Sequence, residues 1–115
     1  MKRAIAIALA VAGLCGPALA HAFLQTASPA AGDNLKTPPA VVDLHFTEAL
    51  EPAFSGIEVT DEAGRDVTAA AASAEGAEMK IALRHLAPGR YRVSWHAVSV
   101  DTHRTEGRYS FLVLK

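Results

Sequence analysis

Five histidines, His21, His45, His85, His96 and His103, carry most of the chemistry available to this sequence, which holds one cysteine and two methionines. Spacing singles out Asp101-Thr102-His103, a carboxylate and an imidazole at i and i+2. On an extended chain such a pair points to one side, about 6.6 Å apart at the backbone. Side chains at that separation can converge on one ion about 2 Å from each donor atom. The same three residues also suit a turn in which the aspartate accepts backbone hydrogen bonds. Ser94 and Ser99 flank His96 without the elbow motif or third partner of a nucleophile. Glu48 and Glu51 form a carboxylate pair, but Pro52 follows and no aromatic platform for a sugar accompanies them.

The residues before His21 change the value of that histidine. Met1-Lys2-Arg3 precedes an apolar run from Ala4 to Cys15 and a small-residue ending, Ala18-Leu19-Ala20. A basic start, a short apolar stretch and a small-x-small terminus make a secretory signal peptide over residues 1–20. The run is shorter than the roughly 20 apolar residues a membrane span needs. Leu14 before Cys15 argues against lipoprotein processing, so the cut is placed after Ala20. The mature chain, residues 21–115, then starts at His21 and loses its cysteine, as suits an oxidising compartment. A free N-terminal histidine offers its α-amine and Nδ1 to the same ion. With a carboxylate and a further imidazole, the set becomes three nitrogens and one oxygen. Tetragonal N,O donors suit Cu(II), and Zn(II) accepts the same donors in a tetrahedral arrangement.

The rest of the chain must position these donors, and 115 residues suffice for one small domain. Without Lys2 and Arg3 there are nine basic against twelve acidic residues, a net charge of −3, which offers no basic footprint for nucleic acid. Apolar residues alternate with polar ones at Val42, Leu44 and Phe46; at Ile57 and Val59; at Met79, Ile81 and Leu83; at Tyr91, Val93 and Trp95; and at Tyr109, Phe111 and Val113. That period of two marks half-buried strands. A first strand over 21–27 and a weak one over 67–71 bring the number to about seven. The alanine-rich stretch 69–77, broken by Gly76, is loop or edge strand rather than helix. Pro/Gly/Asn/Asp turn signals separate the strands. An all-β, antiparallel Greek-key sandwich or barrel of the immunoglobulin-like or cupredoxin-like kind is expected.

The mature chain resembles the periplasmic copper-resistance protein C (CopC) family along essentially its whole length. The matching residues are the His21 start, Ser28-Pro29-Ala30 with Gly32, and Leu44-His45-Phe46-Thr47-Glu48. Gly89 to Trp95, Ala97-Val98-Ser99-Val100-Asp101-Thr102-His103, Gly107 and Phe111 complete them. The resemblance implies Cu(II) bound by His21, Asp101 and His103, one ion per mature chain. Glu48 is an axial ligand or a group supporting one, and His45 either packs or approaches the metal. Some members carry a methionine-rich loop for Cu(I); residues 59–66 contain no methionine, and Met79 alternates with Ile81 on a core face. No Cu(I) site is therefore expected. Arg104 stands where many members have proline, and His96 where arginine is common.

These residues lead to a non-catalytic, monomeric Cu(II)-binding protein of the periplasm. It would serve copper resistance or homeostasis by sequestering the ion or passing it to an inner-membrane CopD-type transporter. Arg90, Arg92, Arg104 and Arg108 are solvated strand faces or a docking patch for that partner. The alternative is a small copper-dependent oxidase with an N-terminal histidine, as in lytic polysaccharide monooxygenases. Asp101 would occupy the position such an enzyme leaves open for oxygen.

Overall fold

A computed structural model describes residues 22–115; the signal peptide expected over 1–20 and the candidate ligand His21 lie outside the described residues. The alternating patterns become two four-stranded sheets. The first contains β1 (Leu24–Ser28), β3 (Val41–Phe46), β6 (Glu78–Ala82) and β5 (Ser73–Glu75), in that spatial order. The second contains β2 (Asn34–Leu35), β8 (Arg104–Val113), β7 (Gly89–Val98) and β4 (Gly56–Thr60). The chain crosses from sheet to sheet after β1, β2, β3, β4 and β6, whereas β5–β6 and β7–β8 pair within one sheet. The architecture is an open sandwich and not a closed barrel. Helical structure among the described residues is a single 3-10 turn, Pro52–Phe54.

Alternation explains the core directly, since every second residue of a strand shares a face. Val42, Leu44 and Phe46 of β3 and Met79 and Ile81 of β6 are buried from one side. Ile57 and Val59 of β4, Tyr91, Val93 and Ala97 of β7, and Phe111 and Val113 of β8 meet them from the other. Tyr91 stacks on Phe111 with ring centroids 5.6 Å apart. Phe46 meets Trp95 edge to face at 5.1 Å, tying β3 of the first sheet to β7 of the second. Gly107 lies opposite Trp95 in the β7–β8 ladder. A β-carbon there would fall 2.7 Å from the indole, so the ring needs this backbone to be bare.

Three expectations need correction. There are eight strands where about seven were expected: β2, a two-residue edge parallel to β8, and β5 are added, and the strand expected over 67–71 is missing. The first strand starts at Leu24, and no strand occupies 67–71. There the Asp66 carboxylate accepts from the backbone and hydroxyl of Thr68, at 2.8 and 2.6 Å. This local turn competes with ladder formation and leaves isolated bridges at Asp66 and Thr68. The edge strand is β5, inside the alanine-rich stretch.

Candidate metal centre

Asp101 and His103 occupy the turn that joins β7 to β8, not an extended segment as the i, i+2 argument required. Thr102, between them, adopts a left-handed φ of 72°. Backbone bonds from Ser99 N to His103 O (3.0 Å) and from Thr102 N to Ser99 O (2.8 Å) close the turn. The turn alternative is realised, and it brings the two side chains together. One oxygen of Asp101 accepts from the His103 amide at 3.3 Å, while the other lies 3.3 Å from His103 Nδ1. Two donors each about 2.0 Å from one ion, 90° to 110° apart, are separated by about 2.8–3.3 Å. The pair therefore has the spacing of adjacent ligands on a single cation.

Ser99 is the residue the sequence did not single out for this role. It is fully buried, and its hydroxyl donates to the Asp101 carboxylate. That bond, and then those from the His103 amide and imidazole, hold the Asp101 carboxyl below the usual carboxylate range against a smaller opposing effect of desolvation. The carboxylate is thus ionised and ready to bind a cation at neutral pH. Because the folded-state pKa is lowered, the associated stabilisation is complete above the unfolded carboxylate value. It is lost as pH falls through the folded one. Replacing Ser99 by alanine is expected to return the Asp101 pKa toward its ordinary value, as read by carbon-13 carboxyl NMR titration. An unmoved titration would remove Ser99 from the support of this site.

The chain's first described residues are fixed against the same end of the sandwich. Ala22 is buried and its carbonyl accepts from Thr105 Oγ1 at 2.6 Å, two residues beyond His103. Phe23 and Thr47 exchange two bonds, Phe23 N to Thr47 Oγ1 and Thr47 N to Phe23 O, both 2.9 Å. The segment after β3 runs beside the turn: Val100 N donates to Ala49 O at 3.2 Å, and Leu50 bridges Ser99. Glu48 sits in that segment, partly buried; among the described residues no hydrogen bond or ion pair joins it to Asp101 or His103.

The other candidates are placed differently. His45 is exposed on the outer face of the first sheet beside Asp43 and Glu78, so the packing alternative does not hold. His85 is exposed in the loop between β6 and β7, and His96 lies over Gly56. Met79 is buried in the core, 1% exposed. Arg90, Arg92, Arg104 and Arg108 are all exposed and share the outer face of the second sheet, where β7 and β8 register them on alternate residues.

Against known families, residues 24–114 match the CopC domain model. The chain belongs to the CopC family. Protein YobA of Escherichia coli K12 is 35% identical over 113 residues, covering 94% of this chain and 91% of its own. Copper resistance protein C of Escherichia coli is 35% identical over 123 residues, covering 98% and 97%. The crystal structure of CopC from Methylosinus trichosporium OB3b superimposes with a TM-score of 0.76 at 36% identity, covering 82% of this chain and 94% of that one. The relatives include copper resistance proteins, so a copper-related function is supported and the oxidase alternative is not favoured.

Proposed function

We propose that this CopC-family chain is exported to the periplasm, loses residues 1–20, and binds one Cu(II) through the α-amine and Nδ1 of His21 with Asp101 and His103. Glu48 supports that site from the segment after β3, as an axial oxygen or as a hydrogen-bond partner of a ligand. The protein acts as a monomer and either sequesters copper or delivers it to an inner-membrane CopD-type transporter, for which the arginine face of the second sheet is a docking surface. One observation carries this reading: Ala22, joined to His21 by a single peptide bond, is anchored to Thr105 close to the paired Asp101 and His103. Consecutive α-carbons are about 3.8 Å apart, which limits how far a first residue can lie from its buried neighbour.

The donors also agree with the oxidation state. Amine, imidazole and carboxylate favour Cu(II), whereas Cu(I) prefers thioether and thiolate. Met79, the methionine of the mature chain, turns its sulfur into the core. Asp101→Ala and His103→Ala are each expected to weaken Cu(II) binding at least about tenfold, the lower end for losing a ligand or its support. The wild-type complex should show a tetragonal EPR spectrum with nitrogen couplings. Acid should release the ion, because amine and imidazole bind only when deprotonated. Unimpaired binding in both variants would remove the β7–β8 turn from the site.

A further inference from the structure

A second group of metal-ligating side chains lies on other elements. Asp43 and His45 are two apart on β3 and both face outward, and Glu78 of β6 is directly opposite His45 in the ladder. His45 Nε2 is 3.4 Å from an Asp43 oxygen and 3.3 Å from a Glu78 oxygen, and one donor atom from each of the three lies within 4.8 Å of the others. The arrangement belongs to the outer face of the first sheet, whereas Asp101 and His103 belong to the β7–β8 turn of the second.

Two features set this group apart from an ordinary surface ion pair. Charge-assisted hydrogen bonds draw N and O to about 2.7–2.9 Å. Here the imidazole stands off from both carboxylates at the edge length of a tetrahedron whose centre is about 2.0–2.1 Å from each donor. In addition, although the Asp43 side chain is 29% exposed, its Oδ1 atom is buried and receives no hydrogen bond among the described residues, His45 Nε2 standing 3.4 Å away. Buried acceptors normally have a partner, and one left without calls for an explanation such as an ion. Lys80 is the nearby cation, its Nζ 3.8 Å from Glu78 Oε2, and it lies opposite Asp43 in the ladder. It reaches Glu78 and leaves the Asp43 oxygen unserved.

The geometry points to a second divalent-cation site formed by Asp43, His45 and Glu78, of the one-imidazole, two-carboxylate type that takes Zn(II) with solvent completing the coordination. Half of the His45 side chain is open to water, so the ion enters and leaves freely. Cu(II) ranks above Zn(II) for such donors and would load the same place once the stronger site is filled. The inference is independent of the ligands proposed for the first copper, since it uses none of them.

The test is a calorimetric Zn(II) titration of the mature chain carrying Asp101→Ala and His103→Ala, with imidazole nitrogen-15 NMR following His45. Zn(II) should bind and shift the His45 Nε2 resonance. Adding His45→Ala or Glu78→Gln should weaken that binding at least about tenfold. Lys80→Gln should strengthen it roughly fivefold, because a competing positive charge is removed. His45, Glu78 and Lys80 are all solvent-accessible, and unchanged circular dichroism confirms the fold in each variant. Zn(II) affinity indifferent to His45 and Glu78, or a His45 resonance that stays in place on saturation, would overturn the site.

Discussion

A mature chain carrying one extra glycine before His21 is expected to bind Cu(II) orders of magnitude more weakly than the processed chain. The extension turns the α-amine into a peptide amide. An α-amine with a pKa of about 8 yields its proton readily to a metal, whereas an amide nitrogen is a poor donor at neutral pH. The chelate ring closed by amine and Nδ1 is lost with it. The anchors just downstream are untouched, because Ala22 keeps its bond to Thr105 and Phe23 its pair of bonds to Thr47. Circular dichroism should therefore be unchanged while a competition titration shows the loss. Equal affinity in the two forms would end the N-terminal chelate proposal.

The second large effect is on stability. Phe111→Ala is expected to cost about 3–5 kcal/mol, the range for removing a buried aromatic ring. Phe111 is 1% exposed and stacks on Tyr91, so the cavity would open in the middle of the β7–β8 pair. A domain of this size has only about 5–15 kcal/mol in total, and the mature chain has no cysteine with which to brace itself. Urea denaturation should show the loss as a lower midpoint. Copper at a hundred times its dissociation constant should return about 2.7 kcal/mol of it. A midpoint within experimental error of the wild type would mean that the two inner faces repack around the gap.

How much of this was legible depends on whether a feature is local. Val42, Leu44 and Phe46, or Tyr91 and Val93, announce their strands because a half-buried strand writes its two faces into the sequence. The two residues of β2 are too few to alternate, and their parallel partner is far away in the chain. The weak strand at 67–71 was displaced by Asp66 bonding Thr68, a contest between side chain and ladder that propensity does not register. At the candidate metal centre the pairing of Asp101 with His103 was readable from spacing, but the backbone that achieves it was not. A threonine gives little sign that it will take a left-handed φ. Ser99 acquires its part only when the turn closes over it. His45 could not be interpreted without Glu78, which only strand register brings opposite it.

The bare backbone of Gly107 has an optical consequence. Trp95 is the sole tryptophan of the sequence, and its ring is held between Phe46 of one sheet and Gly107 of the other. All indole emission from this molecule therefore originates at the seam between its two layers. The colour of that light reports whether the layers are still docked, a different quantity from the amount of strand that survives. Far-ultraviolet ellipticity and tryptophan fluorescence would separate sheet melting from sandwich opening without any added label.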